Sequence, residues 1–298
     1  MRAPGAVVFA LGASLGIAAC YDSRWGESKR AQQRLATKAT PAEISPSTDP
    51  ESLPLDGGRQ AWRVRVRPDG RYLAQNLDVP RRVAKLLQDA SRVLGPSIAL
   101  DLTLDRIQPW NGDSDDDVGA ALAALRGADA GDDVDLVVGM IGSLPRESDS
   151  LHDEGMATLL GKHVVVRGAS RVGEVDSVQL TFGELSETDR AQLLERRRHH
   201  RALAVLLHEI AHCLGAIHET DVGSLMRPAY DPKMTGFGGG AIALMRAGLD
   251  GGDRSAVASA QLFLLEHAFN ATWVPAERDA EVVRLRAIVG PAAAAAPV

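Results

Sequence analysis

The chain has only two cysteines in 298 residues, Cys20 and Cys213. No disulfide framework can hold it, and its stability rests on packing. Aromatic residues are scarce, at 4%, and the net charge is −6. With neither a basic footprint nor a supply of stacking rings, nucleic acid is not an expected partner. No internal repeat is visible, which excludes a solenoid. The apolar run Ala6 to Ala19 is 14 residues long, too short to span a bilayer comfortably. What is present is ordinary for a globular protein: 45% hydrophobic and 24% charged residues, with ample apolar material for one large domain or two small ones.

Arg2 followed by that apolar run fits a signal-peptide core. The run ends in Ile17-Ala18-Ala19-Cys20, which resembles the lipobox of bacterial lipoproteins. The resemblance implies cleavage after residue 19, lipidation of Cys20, and anchoring to the bacterial cell envelope, since several acyl chains together suffice to hold a protein on a membrane. The plainer alternatives are an ordinary secretory signal cleaved nearby and a buried N-terminal helix. Residues 20–58, rich in Ser, Thr, Pro, Ala and charge, read as a flexible tether. Residues 59–290 read as one folded domain, and the Ala/Pro-rich tail 291–298 as disordered.

Within the domain, Trp62, Val64 and Val66 alternate with Arg63, Arg65 and Arg67, predicting a strand with one wet face. Asp78 is placed to cap a helix with Pro80 in its first turn and Val83, Leu87, Ala90 and Leu94 on one face. Alternation of Ile98, Leu100, Leu102 and Leu104 predicts a second strand. A short helix is expected near Asp116 to Arg126, and strands over Val134 to Ile141 and His163 to Arg167. A long helix is expected from Glu187 to Leu214, striped by Leu203, Leu207, Ile210 and Leu214, and a last one from Arg254 to Phe269.

The chemistry concentrates at the end of the long helix, in His208-Glu209-Ile210-Ala211-His212-Cys213-Leu214-Gly215-Ala216-Ile217-His218. Residues four apart share a helix face, so His208 and His212 can aim at one point. Glu209 lies about 100° round the helix, beside a metal rather than on it, where a base acting on metal-bound water should be. Gly215 can end the helix with a left-handed residue at little cost, and the chain then turns back to deliver His218. Three protein ligands leave a fourth position open, as in a catalytic zinc site. With this histidine content, the full pattern arises by chance in roughly a few chains in a hundred thousand.

The pattern HExxHxxGxxH is that of the metzincins, and the chain is identified as resembling that clan. Ser224-Leu225-Met226-Arg227-Pro228-Ala229-Tyr230 resembles the methionine turn of matrixins in its spacing from His218 and its Met-x-Pro-x-Tyr run. The resemblance implies that Met226 lies beneath the metal. It also implies that Pro228 and Tyr230 line the pocket for the substrate side chain just after the cut. The expected fold is metzincin-like α/β (α+β): a twisted mixed sheet with two long helices above, a smaller irregular and helical part below, and the zinc cleft between. Expected partners are a protein or peptide substrate and, through Cys20, the membrane. One catalytic zinc is implied. The matrixin loops for structural zinc and calcium have no match upstream, so calcium has no support. Glu219 is the residue astacins carry after the third histidine. However, the position two after Met226, where astacins have a metal-binding tyrosine, is Pro228, so no tyrosine ligand follows and the subfamily stays open.

The expected function is zinc-dependent endopeptidase, with Glu209 as general base and the substrate strand added to a sheet edge near Val164 to Arg167. Two alternatives stand beside it: an inactive zinc-binding surface lipoprotein, and a zinc amidase acting on cell-wall material. Other features have blander expectations. Asp113, Asp115, Asp116 and Asp117 lack the glutamate of an EF-hand loop and read better as a helix cap than as a calcium site. Arg196, Arg197, Arg198, His199, His200 and Arg201 read as a solvated helix face. Cys213 reads as a small buried residue, and Gly236 with Gly238 to Gly240 as a mobile cleft rim.

Overall fold

The structure is a computed structural model, which describes residues 12–46, 58–112, 117–143, 150–168, 172–249, 254–267 and 275–289. Asp113, Asp115, Asp116 and the tail 291–298 lie outside those residues.

In chain order the elements are α1 (Gly12–Ala39), β1 (Gln60–Pro68), α2 (Gly70–Gln75), α3 (Val79–Ile98), β2 (Leu100–Ile107), α4 (Val118–Ala128) and β3 (Leu136–Ile141). There follow α5 (Leu151–Glu154), β4 (Gly155–Ala157), β5 (His163–Arg167), α6 (Val172–Thr181), α7 (Glu187–Cys213), α8 (Gly239–Leu249), α9 (Arg254–His267) and α10 (Pro275–Val289). The strands form one sheet in the order β2-β1-β3-β5-β4. The pairs β1–β2, β1–β3 and β3–β5 are parallel, and only β4 runs antiparallel, at the edge. This is the mixed α/β architecture expected.

One face of the sheet, through Val64, Val66, Leu100, Leu136, Val138, Val164 and Val166, packs against α3 and α7 in the main core. The other face presents Val137, Ile141 and Val165 to α4. α3 forms as its sequence dictates. The Asp78 carboxylate accepts from Arg81 N–H at the start, and the stripe Val83, Leu87, Ala90 and Leu94 is buried. α7 is buried along its whole last third, from Leu203 to Cys213. Burying a single such leucine or isoleucine stabilises the fold by roughly 2 kcal/mol, which sets the histidine-bearing end of this helix rigidly against the sheet. α9 and α10 make a separate small core with Leu159, Leu160 and Ile217; of this pair only α9 was legible as a helix.

Several expectations are corrected. Arg65 and Arg67 of β1 do not face water. They are 6% and 9% exposed and meet the carboxylate of Asp129 at the end of α4, at 2.9 and 2.6 Å. The segment 20–58 is not a loose tether throughout. It is helical to Ala39, and beyond that Ala42 N–H donates to Pro232 O and Ser45 N–H to Thr235 O, both at 2.8 Å, with Ile44 in the main core. Main-chain hydrogen bonds hold the segment there without any apolar periodicity. The basic stretch of α7 is only partly solvated: Arg196 is exposed, Arg197 to His199 are half-buried, and His200 and Arg201 are buried. Arg198 pairs with Glu174 at 3.2 Å, Arg201 with Glu154 at 3.5 Å, and His199 Nε2 lies 2.6 Å from Asp89. Asp117 does cap α4, accepting from Gly119 and Ala120 N–H. The glycine-rich stretch is not merely a rim, since Gly239 opens α8.

Candidate metal centre

His208, His212 and His218 come together at the end of α7. One ring nitrogen from each lies within 4.8 Å of the others, and all three residues are buried. The ring centroids are 4.6, 5.2 and 5.0 Å apart pairwise. Gly215, at φ 104°, is the left-handed stop the sequence predicts. Its N–H donates to His212 O at 3.1 Å, and Ala216 N–H to Ala211 O at 2.8 Å. These close the helix as a Schellman-like turn and throw the chain back toward His218.

Backbone carbonyls set the tautomers. His208 Nδ1 lies 2.7 Å from Leu225 O, and His212 Nδ1 lies 2.8 Å from Ala216 O. A carbonyl only accepts, so each Nδ1 carries the hydrogen and each Nε2 presents a lone pair. Those two Nε2 atoms stand 3.1 Å apart. Two lone pairs so placed repel unless a cation lies between them, and two imidazoles on one tetrahedral zinc would sit about 3.4 Å apart. Three converging imidazoles, two of them with the outer nitrogen pinned by a carbonyl, fit zinc.

The loop that follows is built to hold this geometry. Leu225, whose carbonyl fixes His208, belongs to the turn Ser224-Leu225-Met226, in which Met226 N–H donates to Ser224 Oγ at 3.0 Å. Met226 is fully buried, and its carbonyl accepts from Glu219 N–H at 2.9 Å. Glu219 holds more than its sequence position announced. Its carboxylate accepts from the Ser224 hydroxyl and, at 3.2 Å, from Ala241 N–H in the first turn of α8. The third-histidine loop, the methionine turn and α8 are thereby joined by one side chain.

Residues 84–237, just over half of the chain, match the family model described as matrixin. The chain belongs to the matrixin family. Among solved structures it is similar to archaemetzincin from Methanopyrus kandleri, at 18% identity over 66% of this chain and 99% of that one, with a TM-score of 0.42. Metalloproteinase-II from Bacteroides fragilis follows at 15% identity, over 72% of this chain and 60% of that one, with a TM-score of 0.41. At such scores no residue role is transferred from either. No curated protein sequence matches the chain. As a matrixin it is a metallopeptidase, and the histidine triad is where its metal would bind.

In this matrixin the Met-x-Pro-x-Tyr run is tied to the edge of the sheet through α5. Leu151 N–H donates to Pro228 O at 3.0 Å, and Ser150 bridges Ala229, tying the run to α5 and hence to the edge strand β4. The Tyr230 hydroxyl lies 2.8 Å from His200 Nδ1, while His200 Nε2 lies 3.1 Å from Met234 O. Nε2 therefore donates to the carbonyl and Nδ1 accepts from Tyr230. The Arg201 guanidinium lies over the phenol ring, 4.4 Å from its centroid. Burial holds the Tyr230 phenol well above its ordinary pKa, so it stays protonated and donates. His200 and Arg201 were hidden in what looked like a solvated run of basic residues.

The expected docking edge near Val164 to Arg167 is not an edge. Val164 to Val166 are paired with β3 on one side and with β4 on the other. The open edge next to the site belongs to β4, whose three residues are too few to show periodicity. Cys213 is buried as expected, with burial pushing its thiol up in pKa; it is no nucleophile. A cavity of about 750 Å³ between residues 40–46, α3 and α7 is lined by none of the three triad histidines.

Proposed function

We propose that this matrixin is a zinc-dependent endopeptidase in which His208, His212 and His218 hold the ion and Glu209 is the general base. The observation that carries the reading is the convergence of the three imidazoles, two of them turned by backbone carbonyls so that Nε2 faces its neighbour. Zinc bound there supplies Lewis acidity toward solvent and the scissile carbonyl. Glu209, one residue after the first ligand on a rigid helix, takes a proton from the attacking water and returns it to the leaving amine. A substrate strand adds to the open edge of β4, and Pro228 and Tyr230 form the wall met by the side chain just after the cut. Support for that wall comes from its hydrogen bonds to the α5–β4 segment and to His200.

The same proposal puts the protein on the bacterial cell envelope, lipidated at Cys20. Ile17-Ala18-Ala19-Cys20 supports it, and loss of acyl labelling on Cys20→Ala tests it.

The function is tested by digesting a peptide library with the zinc-loaded protein, with and without chelator. Cleavage abolished by chelator and restored by zinc is expected. Glu209→Gln should retain zinc and lose about 10²- to 10⁴-fold in kcat. Chelator-insensitive cleavage, or full activity of Glu209→Gln, would overturn the reading.

A further inference from the structure

We infer that Gly155, the first residue of β4, is a positioning residue for Glu209; this rests on the proposed role of Glu209 as base. Gly155 has φ −161° and ψ 163°, an extended conformation open to any residue, so the backbone does not ask for glycine. Space does. A Cβ built there would lie 2.7 Å from Val205 Cγ1, 2.9 Å from Glu209 Oε1 and 3.0 Å from Glu209 Cγ. α7 and β4 approach so closely that the Glu209 side chain occupies the volume a methyl group would need.

The strand has little room to yield. Gly155 N–H donates to Leu151 O, and β4 pairs with β5 through Gly155, Met156 and Ala157. Glu154, just before it, is ion-paired to Arg201 of α7 at 3.5 Å. The helix is equally fixed, buried from Leu203 to Cys213, with two of its imidazoles held by carbonyls. Of the groups the methyl would meet, the Glu209 carboxylate stands at the end of a flexible side chain. An added methyl therefore displaces the carboxylate and leaves the three metal ligands where they are.

Gly155→Ala tests this, with Gly155→Ala/Val205→Ala as its partner, in the full chain on a fluorogenic peptide chosen from the library digest. Expected for Gly155→Ala are zinc stoichiometry and KM within about twofold of the parent and kcat lower by about 10- to 100-fold, since a misplacement of about 1 Å costs that much. A crystal structure of the metal-free variant should show the Glu209 carboxylate displaced and the imidazoles in place. Removing the Val205 methyls relieves the nearest contact but not those with Glu209, so the double variant should fold well and stay slow. The double variant carries the test if the single one folds poorly. Unchanged kcat in Gly155→Ala, or recovery of kcat on adding Val205→Ala, would overturn the inference. Should Glu209→Gln itself prove fully active, the role of Glu209 fails instead; if it is inactive while Gly155→Ala is not, only the claim for Gly155 fails.

Discussion

Two buried polar clusters lie on either side of β5, and they are built on opposite electrostatic plans. On the α4 side, Arg65 and Arg67 share the carboxylate of Asp129, and Arg65 also reaches Asp133 at 2.5 Å. Gly131 N–H adds a hydrogen bond to Asp129 at 3.0 Å. Cations and carboxylates are matched in number, and both guanidinium groups reach Asp129, though Nε of Arg65 and of Arg67 makes no hydrogen bond. On the α7 side, three imidazoles point nitrogen atoms at one small volume, and two of them are held as acceptors by backbone carbonyls. There the lone pairs of His208 and His212 converge at 3.1 Å and call for a cation between them. Burial and hydrogen bonding are common to both, so neither separates a structural cluster from a reactive one. What separates them is whether the charges close among themselves.

The largest test of this contrast removes a ligand. His212→Ala should lose zinc and bring peptide cleavage down to the level of the chelated protein. Metal analysis and the digest read it together, and retained zinc would deny the triad its role. Next is Asp129→Ala, which leaves two buried guanidinium groups without their shared carboxylate. Urea unfolding should show a loss of about 3–5 kcal/mol, with zinc affinity unchanged. If zinc affinity fell along with stability, the two clusters would not be independent.

A pH series sharpens the same point. Burial by itself would raise the pKa of Asp129, but hydrogen bonds from Arg67 and Arg65, with Gly131 N–H, outweigh it and hold the carboxyl below its ordinary value. Its contribution is therefore complete above the unfolded-state value of about 3.9 and is lost as pH falls through the lower folded-state value. Measured on metal-free protein, stability should drop as pH falls below about 4, and Asp129→Asn should flatten that part of the curve. An equally steep curve in the variant would exclude the group. The smallest effect belongs to a neutral pair. Tyr230→Phe removes the hydroxyl that donates to His200, at a cost of about 1 kcal/mol in urea unfolding. A cost as large as that of Asp129→Ala would erase the distinction between neutral and charged clusters.

Legibility along the chain followed the range of the interactions. His208, Glu209 and His212 were readable because helical spacing alone puts them together, and Gly215 because a helix stop is a local event. α3 was readable from its cap and stripe. Arg65 and Arg67 were misread because alternation reports which face a side chain takes, not what covers that face. Asp129 sits 64 positions from Arg65, beyond the reach of any local pattern. The basic run of α7 failed for the same reason, since Glu154, Glu174 and Asp89 all come from elsewhere. α10 and the contacts of residues 42–45 carry no periodic signal.

The sequence by itself determined the donor set and its spacing, because three histidines around a helix stop depend only on 3.6-residue geometry and one left-handed glycine. Tertiary structure alone decided that Nε2 of His208 and His212 is the presented atom, that β4 and not β5 is the open edge, and that residue 155 has no room for a methyl group. Each of those depends on a carbonyl, a strand or a side chain brought from a distant part of the chain, and only packing sets the distance at which they meet.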